Sequence, residues 1–377
     1  MSKPILTVDG IPISVLPLSA PATEQPPLAD VQTTRLQTAR DVTGPAPPSR
    51  WWLRASASVW RGLQYVGMTA HFLAPERPPS PSFIKTIPST ISKTKGKFIL
   101  QFYTPEGYDT ATPTGETFPA VVNFHGGGFV IGSATDDARF ARFVLDKCHA
   151  VFVSVDYRLS PEHPFPVAVE DAADALLYVI RSASDLHIDP LKLAISGFSA
   201  GGNLAITSTL RLADHLKALQ ASGTPLPEHC IRAVAAWYPV TDFTQPRAAK
   251  RAACVRPEQT IPEALTNLFD ASYLHPPILE LANPYLSPSQ AADELLAAAL
   301  PEMVVLYTCE WDMLMKEGEA FAHRAGRAPI GRDVRYKMVE GVPHAWDKSP
   351  SPTKPAERSE ELYAECCGFL REAFERG

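Results

Sequence analysis

No run of about 20 uncharged apolar residues occurs in this 377-residue sequence, so no membrane-spanning helix is expected. The opening stretch, MSKPILTVDGIPISVLPLSA, is interrupted by proline and aspartate before an apolar h-region forms, and it does not read as a secretory signal. There is no basic excess. Against 35 Lys and Arg stand 41 Asp and Glu, a formal net charge of -6 with the signs mixed, so nucleic acid is not expected as a partner. Cysteine is sparse. Cys148, Cys230, Cys254, Cys309, Cys366 and Cys367 are scattered and lack the paired spacing of a zinc site, so they are expected to be reduced thiols in a cytoplasmic protein without a metal. Adjacent Cys366 and Cys367 are read as packing residues of the last helix.

What is present in quantity is apolar residue and proline. At 45% hydrophobic, a chain of this length has material for one large domain with additions, or for two domains. Many of the 37 prolines fall in the first fifty positions, in PLSAPATEQPPLAD and TGPAPPSR, which predicts an extended arm. The next segment, SRWWLRASASVWRGLQYVGMTAHFL, repeats Trp52, Val59, Leu63, Val66, Ala70 and Leu73 at helical spacing, with Arg54, Ser58, Arg61 and Thr69 on the other side. This is one amphipathic helix, read as packed on the protein body; a lid over a lipophilic pocket and a membrane-touching surface are the alternatives.

Beyond residue 97 short β-rich runs alternate with helical ones. KFILQFY, AVVNFHG, AVFVSVDY, LKLAISG, IRAVAAWYPV, EMVVLYTC and VRYKMVEG read as strands, with helices between and after them. Apolar strands alternating with helices imply a mostly parallel sheet covered on both faces. A proline- and aromatic-rich stretch, residues 241–291, leaves the sheet after one strand and returns before the next. The expected division is therefore 1–95 arm and cap helix, 96–240 first part of the core, 241–291 cap insertion and 292–377 second part of the core.

The chemistry centres on GFSAGGNLA. A strand ends near Ser196 and a helix opens near Ala200, so Ser199 sits at the apex of a tight turn with its hydroxyl at the carboxyl edge of the sheet. A serine nucleophile needs a base. His344, in a loop after the last strand, is placed to be the general base and acid, whereas the histidines at 71, 149, 187, 215, 229, 275 and 323 lie in helices or connections without that setting. The base needs a carboxylate to orient it, and Asp312, just past the penultimate strand, is assigned that role with Glu310 as the fallback. Gly126, Gly127 and Gly128 follow a strand directly in NFHGGGFVIGS and can bring backbone N–H groups to a developing oxyanion, while His125 ties their loop down.

Taken together, HGGGF at 125–129, DYRLSPEHPFP at 156–166, GFSAGGNLA around Ser199, EWDMLMKEGEAFAHRA around Asp312 and GVPHAW around His344 resemble the hormone-sensitive-lipase-like branch of the α/β-hydrolases, the carboxylesterases of the HGGG type. The resemblance runs from about residue 97 to the end. It implies an α/β-hydrolase fold, a mostly parallel central sheet flanked by helices with a helical cap, and a serine ester hydrolase of small apolar esters that uses no cofactor. Ser199, Asp312 and His344 would form the triad, and the three glycines with the Ala200 amide the oxyanion hole. Asp156, Arg158 and Glu162 match a segment that packs beside the site. Two positions depart from the family pattern: Phe198 precedes the nucleophile where Asp or Thr is frequent, and Met313 stands where proline is usual. The cap aromatics Trp51, Trp52, Trp60, Phe72, Phe269, Tyr273 and Tyr285 suggest an apolar pocket. Alternative readings are a lactonase, amidase or acyltransferase on a specialised metabolite, or a small-molecule binding protein, the last opposed by the presence of His344. A transient lipid contact through the cap and a homodimer are left open.

Overall fold

The computed structural model describes residues 48–108, 117–276, 279–348 and 357–376. The proline-rich arm expected over the first fifty residues lies almost wholly outside them. Helix α1 (Arg50–Leu73) is followed by β1 (Phe83–Pro88), β2 (Lys97–Tyr103), β3 (Phe118–Phe124), α2 (Ala138–Phe143), β4 (Val151–Asp156), α3 (Val167–Arg181), β5 (Ile188–Phe198), α4 (Ala200–Ala221) and β6 (Ile231–Trp237). Then come α5 (Arg247–Ala252), α6 (Glu263–Tyr273), α7 (Asp293–Ala299), β7 (Met303–Trp311), α8 (Met315–Ala325), β8 (Asp333–Pro343) and α9 (Glu357–Glu375).

The eight strands form one sheet in the order β1-β2-β4-β3-β5-β6-β7-β8. The first two are antiparallel additions and the other six run parallel. Strand residues alternate between two cores. Val122, Val153, Ile195, Val234 and Leu306 face one core, under α3 and α4. Val121, Phe152, Ala194, Ala235 and Val305 face the other, beside Cys366, Cys367 and Leu370 of α9. Both vicinal cysteines are fully buried there as free thiols, in keeping with packing residues. Strands buried on both faces must be apolar on both, which is why AVVNF and VFVSV read as continuous runs.

Strand β1 lies inside the stretch up to residue 95 that the sequence assigned to the arm and cap. Its sequence, FIKTIP, is an edge strand with only Ile87 buried and a proline at its end, so it carries no apolar run. The insertion after β6 is built from α5 and α6.

Helix α1 forms, but not with the expected face inward. Leu53, Ala57, Met68 and His71 are buried, and Leu53 and Ala57 pack on Leu268 and Phe269 of α6 and on Val130 and Ile131. The stripe Trp52, Val59, Leu63, Val66 and Leu73 is 52–68% exposed. Polar residues decide the orientation. Arg61 donates to the carbonyls of Val130 (2.9 Å) and Ser160 (2.8 Å), Gln64 donates to Asp136 (2.6 Å), and the His71 carbonyl accepts from Arg139 (2.6 Å).

Candidate active site

Ser199 sits between β5 and α4 with φ 55° and ψ -114°, a conformation that a non-glycine residue holds only where its surroundings impose it. The imposition is visible on both sides. A Cβ on Gly197 would run into the Gly201 carbonyl, and one on Gly201 into the Phe124 carbonyl, so the turn can close only with glycine at both positions. The Ser199 amide donates to the Trp237 carbonyl at 2.8 Å, which ties the turn to β6.

Parallel pairing assembles the rest. Trp311 of β7 is in register with Pro343 of β8, so Asp312 and His344 leave the same end of adjacent strands. His344 Nδ1 is 2.6 Å from Asp312 Oδ2, and its Nε2 is 2.8 Å from Ser199 Oγ. Asp312 is 3% exposed, and its second oxygen accepts from the Leu314 amide at 3.1 Å. The fallback residue Glu310 is directed elsewhere and accepts from the Gly341 amide at 2.7 Å. The three side chains thus form a continuous hydrogen-bonded line able to move a proton off the serine hydroxyl.

Register also brings the glycine loop to the serine. Asn123 and Phe124 of β3 pair with Ser196 and Gly197 of β5, and a Cβ on Gly126 would lie 3.5 Å from that of Ser199. Gly127 and Gly128 have φ of 107° and 59°, and the Gly127 carbonyl accepts from the amides of Val130 and Ile131, both at 3.0 Å. His125 is buried beneath the loop. Its Nδ1 donates to the Gly126 carbonyl at 2.7 Å, its ring stacks on Tyr157 with centroids 4.3 Å apart, and the Tyr157 hydroxyl donates to the His125 carbonyl at 2.9 Å. Ala200 is the first residue of α4, where backbone N–H groups have no partner within the helix.

A cavity of about 340 Å³ opens over Ser199 and His344, walled by Phe243, Leu265, Phe269 and Tyr273 from the insertion side and by Gln64 and Met68 of α1. Of the aromatics expected to line it, Phe269 and Tyr273 do. Trp51 and Trp52 face outward, Trp60 packs between α1 and α6, and Tyr285 hydrogen-bonds Asp214 at a distance from the pocket. Asp136 belongs to the wall; burial pushes its carboxyl above the usual range despite donation from Ser133.

The segment 156–162 holds position rather than facing the cavity. Arg158 clasps buried Asp171 through Nε (2.9 Å) and Nη2 (2.6 Å), and Glu162 pairs with Arg61 of α1 at 2.9 Å. Asp156 lies 4.0 Å from His125 Nε2.

A buried ionic cluster next to the histidine loop was not anticipated. Lys348 Nζ stands 3.0 Å from Asp137, 3.2 Å from Asp347 and 3.8 Å from the centre of the Phe198 ring. Tyr238, whose ring meets His344 edge-on at 4.8 Å, donates to Asp347 at 2.6 Å. Burial works to raise the Asp347 carboxyl, but the Lys348 ammonium and the hydroxyls of Tyr238 and Tyr363 outweigh it and hold the group below its usual range. The only sequence signal was Phe198 itself, an aromatic ring where a cation could rest. Among the described residues no group of three or more His, Cys, Asp or Glu could hold a metal ion.

The model of a family described as alpha/beta hydrolase fold matches residues 121–348. An AB hydrolase superfamily protein of Schizosaccharomyces pombe is 31% identical over 260 residues, 69% of this chain and 71% of that protein. An arylesterase of Saccharolobus solfataricus is 31% identical over 235 residues, 62% of this chain and 70% of that protein. Among solved structures, an esterase of Pyrobaculum calidifontis aligns with a TM-score of 0.66 at 28% identity, covering 84% of this chain and 92% of its own.

Proposed function

The chain belongs to the α/β-hydrolase fold family, on its hormone-sensitive-lipase-like branch of carboxylesterases, and from that premise we propose that Ser199 is its nucleophile, acylated by a small ester and freed by water. As a member of that branch it is a carboxylic-ester hydrolase. In our reading Ser199 Oγ attacks the carbonyl while His344 Nε2 takes its proton, and Asp312 holds the Nδ1 proton so that Nε2 is the free base. The oxyanion is met by amides of the 126–128 loop and of Ala200, aided by the positive end of α4. His344 then returns the proton to the leaving alcohol, and a water activated by the same nitrogen cleaves the acyl-enzyme. The observation that carries this reading is the position of His344, 2.8 Å from Ser199 and 2.6 Å from Asp312.

The apolar walls and the cavity volume, about 340 Å³, favour short or medium apolar acyl groups. We assign the cap to α1, α5 and α6 and the core to the sheet with its flanking helices, β1 included. The outward apolar stripe of α1 supports a lipid contact at this cap. The cytoplasmic setting is inferred from the scattered free cysteines alone. No helix among the described residues is long and apolar enough to cross a membrane.

The test is hydrolysis of a p-nitrophenyl ester series from acetate to palmitate by wild type and Ser199→Ala. Turnover in the wild type that vanishes in the variant supports the assignment. A variant that keeps its rate removes Ser199 from the mechanism, and acyl transfer to an added alcohol in preference to water would make the protein an acyltransferase.

A further inference from the structure

Helix α1 buries Leu53, Ala57 and Met68 but turns a second apolar stripe outward. A surface helix ordinarily turns its apolar stripe to the core and its polar side to water. Here Trp52, Val59, Leu63, Val66 and Leu73 form a single outward ridge along a 24-residue helix, with Trp51 exposed at its start. Beside Leu53, Ala57 and Met68, the inward side holds Arg61, Gln64 and His71, whose hydrogen bonds reach Val130, Ser160, Asp136 and Arg139. These bonds are directional, so the helix cannot roll to bury its ridge without breaking them. The ridge is therefore held facing out.

We propose that this ridge is an interfacial anchor that seats the cap on an anionic lipid bilayer and presents the pocket to esters dissolved in it. Three observations select this occupant. First, the helix carries Arg50, Arg54 and Arg61 and no acidic residue, on a chain whose net charge is -6. Arg54 is exposed near the start of the ridge and Arg77 just past its end, where the neighbouring exposed Glu76 is paired with Arg142 at 2.7 Å, so the charge at the two ends is on balance cationic. Such ends complement anionic headgroups and would meet like charge on a second copy of the same surface. Second, the ridge is one helix wide, which a bilayer accepts without a matching groove, and its tryptophans suit the headgroup boundary. Third, the same helix contributes Gln64, Gly67 and Met68 to the wall of the cavity that contains Ser199. An anchored α1 thus places the pocket wall at the lipid surface. The supply of substrate from the bilayer rests on the ester-hydrolase reading; the docking does not.

The experiment is flotation of the full chain with vesicles of phosphatidylcholine alone and of phosphatidylcholine with phosphatidylglycerol, read beside p-nitrophenyl acetate hydrolysis in solution and molar mass by light scattering. Wild type should float with the anionic vesicles and weakly with the neutral ones. Leu63→Asp/Val66→Asp should lower the partition by about tenfold or more, because both side chains leave the apolar boundary, and Arg54→Glu should lower the preference for anionic lipid. All variants should keep the solution rate on p-nitrophenyl acetate, which reports an intact fold and pocket. Absence of flotation with either vesicle overturns the proposal, as does flotation unchanged by the double variant. A wild-type dimer that the double variant dissolves overturns it too, by giving the ridge to a second copy. Loss of p-nitrophenyl acetate turnover in the wild type would sink the esterase reading while leaving the docking result standing.

Discussion

The ring of Phe269 in α6 lies directly against the Cα of Gly128, so that a Cβ at position 128 would enter the ring. The residue that walls the cavity therefore also braces the glycine loop beside Ser199. Helix α6 and the glycine loop share this contact, and a change on either side is felt by the other.

Gly128→Ala should lower kcat/KM on p-nitrophenyl butyrate by about 10²-fold or more, through displacement of an oxyanion donor and the strain of a side chain at φ 59°. Adding Phe269→Ala should recover part of that loss, because the collision is relieved while the backbone strain remains. Equal rates for the single and double variants would show that the ring does not brace the loop.

Asp312→Asn should reduce kcat by roughly 10³–10⁴-fold with little change in KM, since the wrong histidine tautomer is stabilised while the pocket is untouched. Glu310→Gln should stay within about twofold of wild type, as its carboxylate serves the Gly341 amide and not His344. Steady-state kinetics on one ester decide between the two carboxylates, and a reversed ranking would move the orienting role to Glu310.

Asp347 has its native carboxyl held below the usual range, so its contribution to stability is fully present above the unfolded value of about 3.9 and is lost as pH falls through the native value. Asp347→Asn should cost about 2–4 kcal/mol at neutral pH, less than a wholly orphaned charge because Lys348 keeps Asp137. The gap in thermal midpoint between variant and wild type should narrow as pH is lowered toward 3.9 and below. A gap constant from pH 7 to pH 3 would rule out the charge as its source.

Arg158→Met leaves Asp171 buried without its partner and should destabilise the fold by about 3–5 kcal/mol. The rate per folded molecule, measured by active-site titration, should be unchanged. A fall in kcat with unaltered stability would instead give Arg158 a part in the chemistry.

Much of the core could be read without coordinates because its strands are buried on both faces and must be apolar on both. Strand β1 escaped that logic, being a one-sided edge. Ser199, Asp312 and His344 were legible because each sits where a strand meets a turn, and glycine at 197 and 201 has no substitute in a turn that tight. Lys348 and Asp347 were not legible. A buried ionic cluster leaves no periodicity, and its third member, Asp137, comes from a different loop.

The sequence by itself determined the kinds of element, the turn that lifts Ser199, and the residue types that could complete a site with it, since these depend on local spacing and backbone sterics. It also determined that α1 is amphipathic. Only the tertiary structure decided that β3 lies between β4 and β5, which puts the glycine loop beside Ser199, and that Asp312 and His344 share one end of two paired strands. It decided as well that the apolar stripe of α1 faces out, because Arg61 and Gln64 find their partners in loops, and His71 in α2, far along the chain. Such partners are matched in space, by hydrogen-bond geometry, and no spacing along the chain records them.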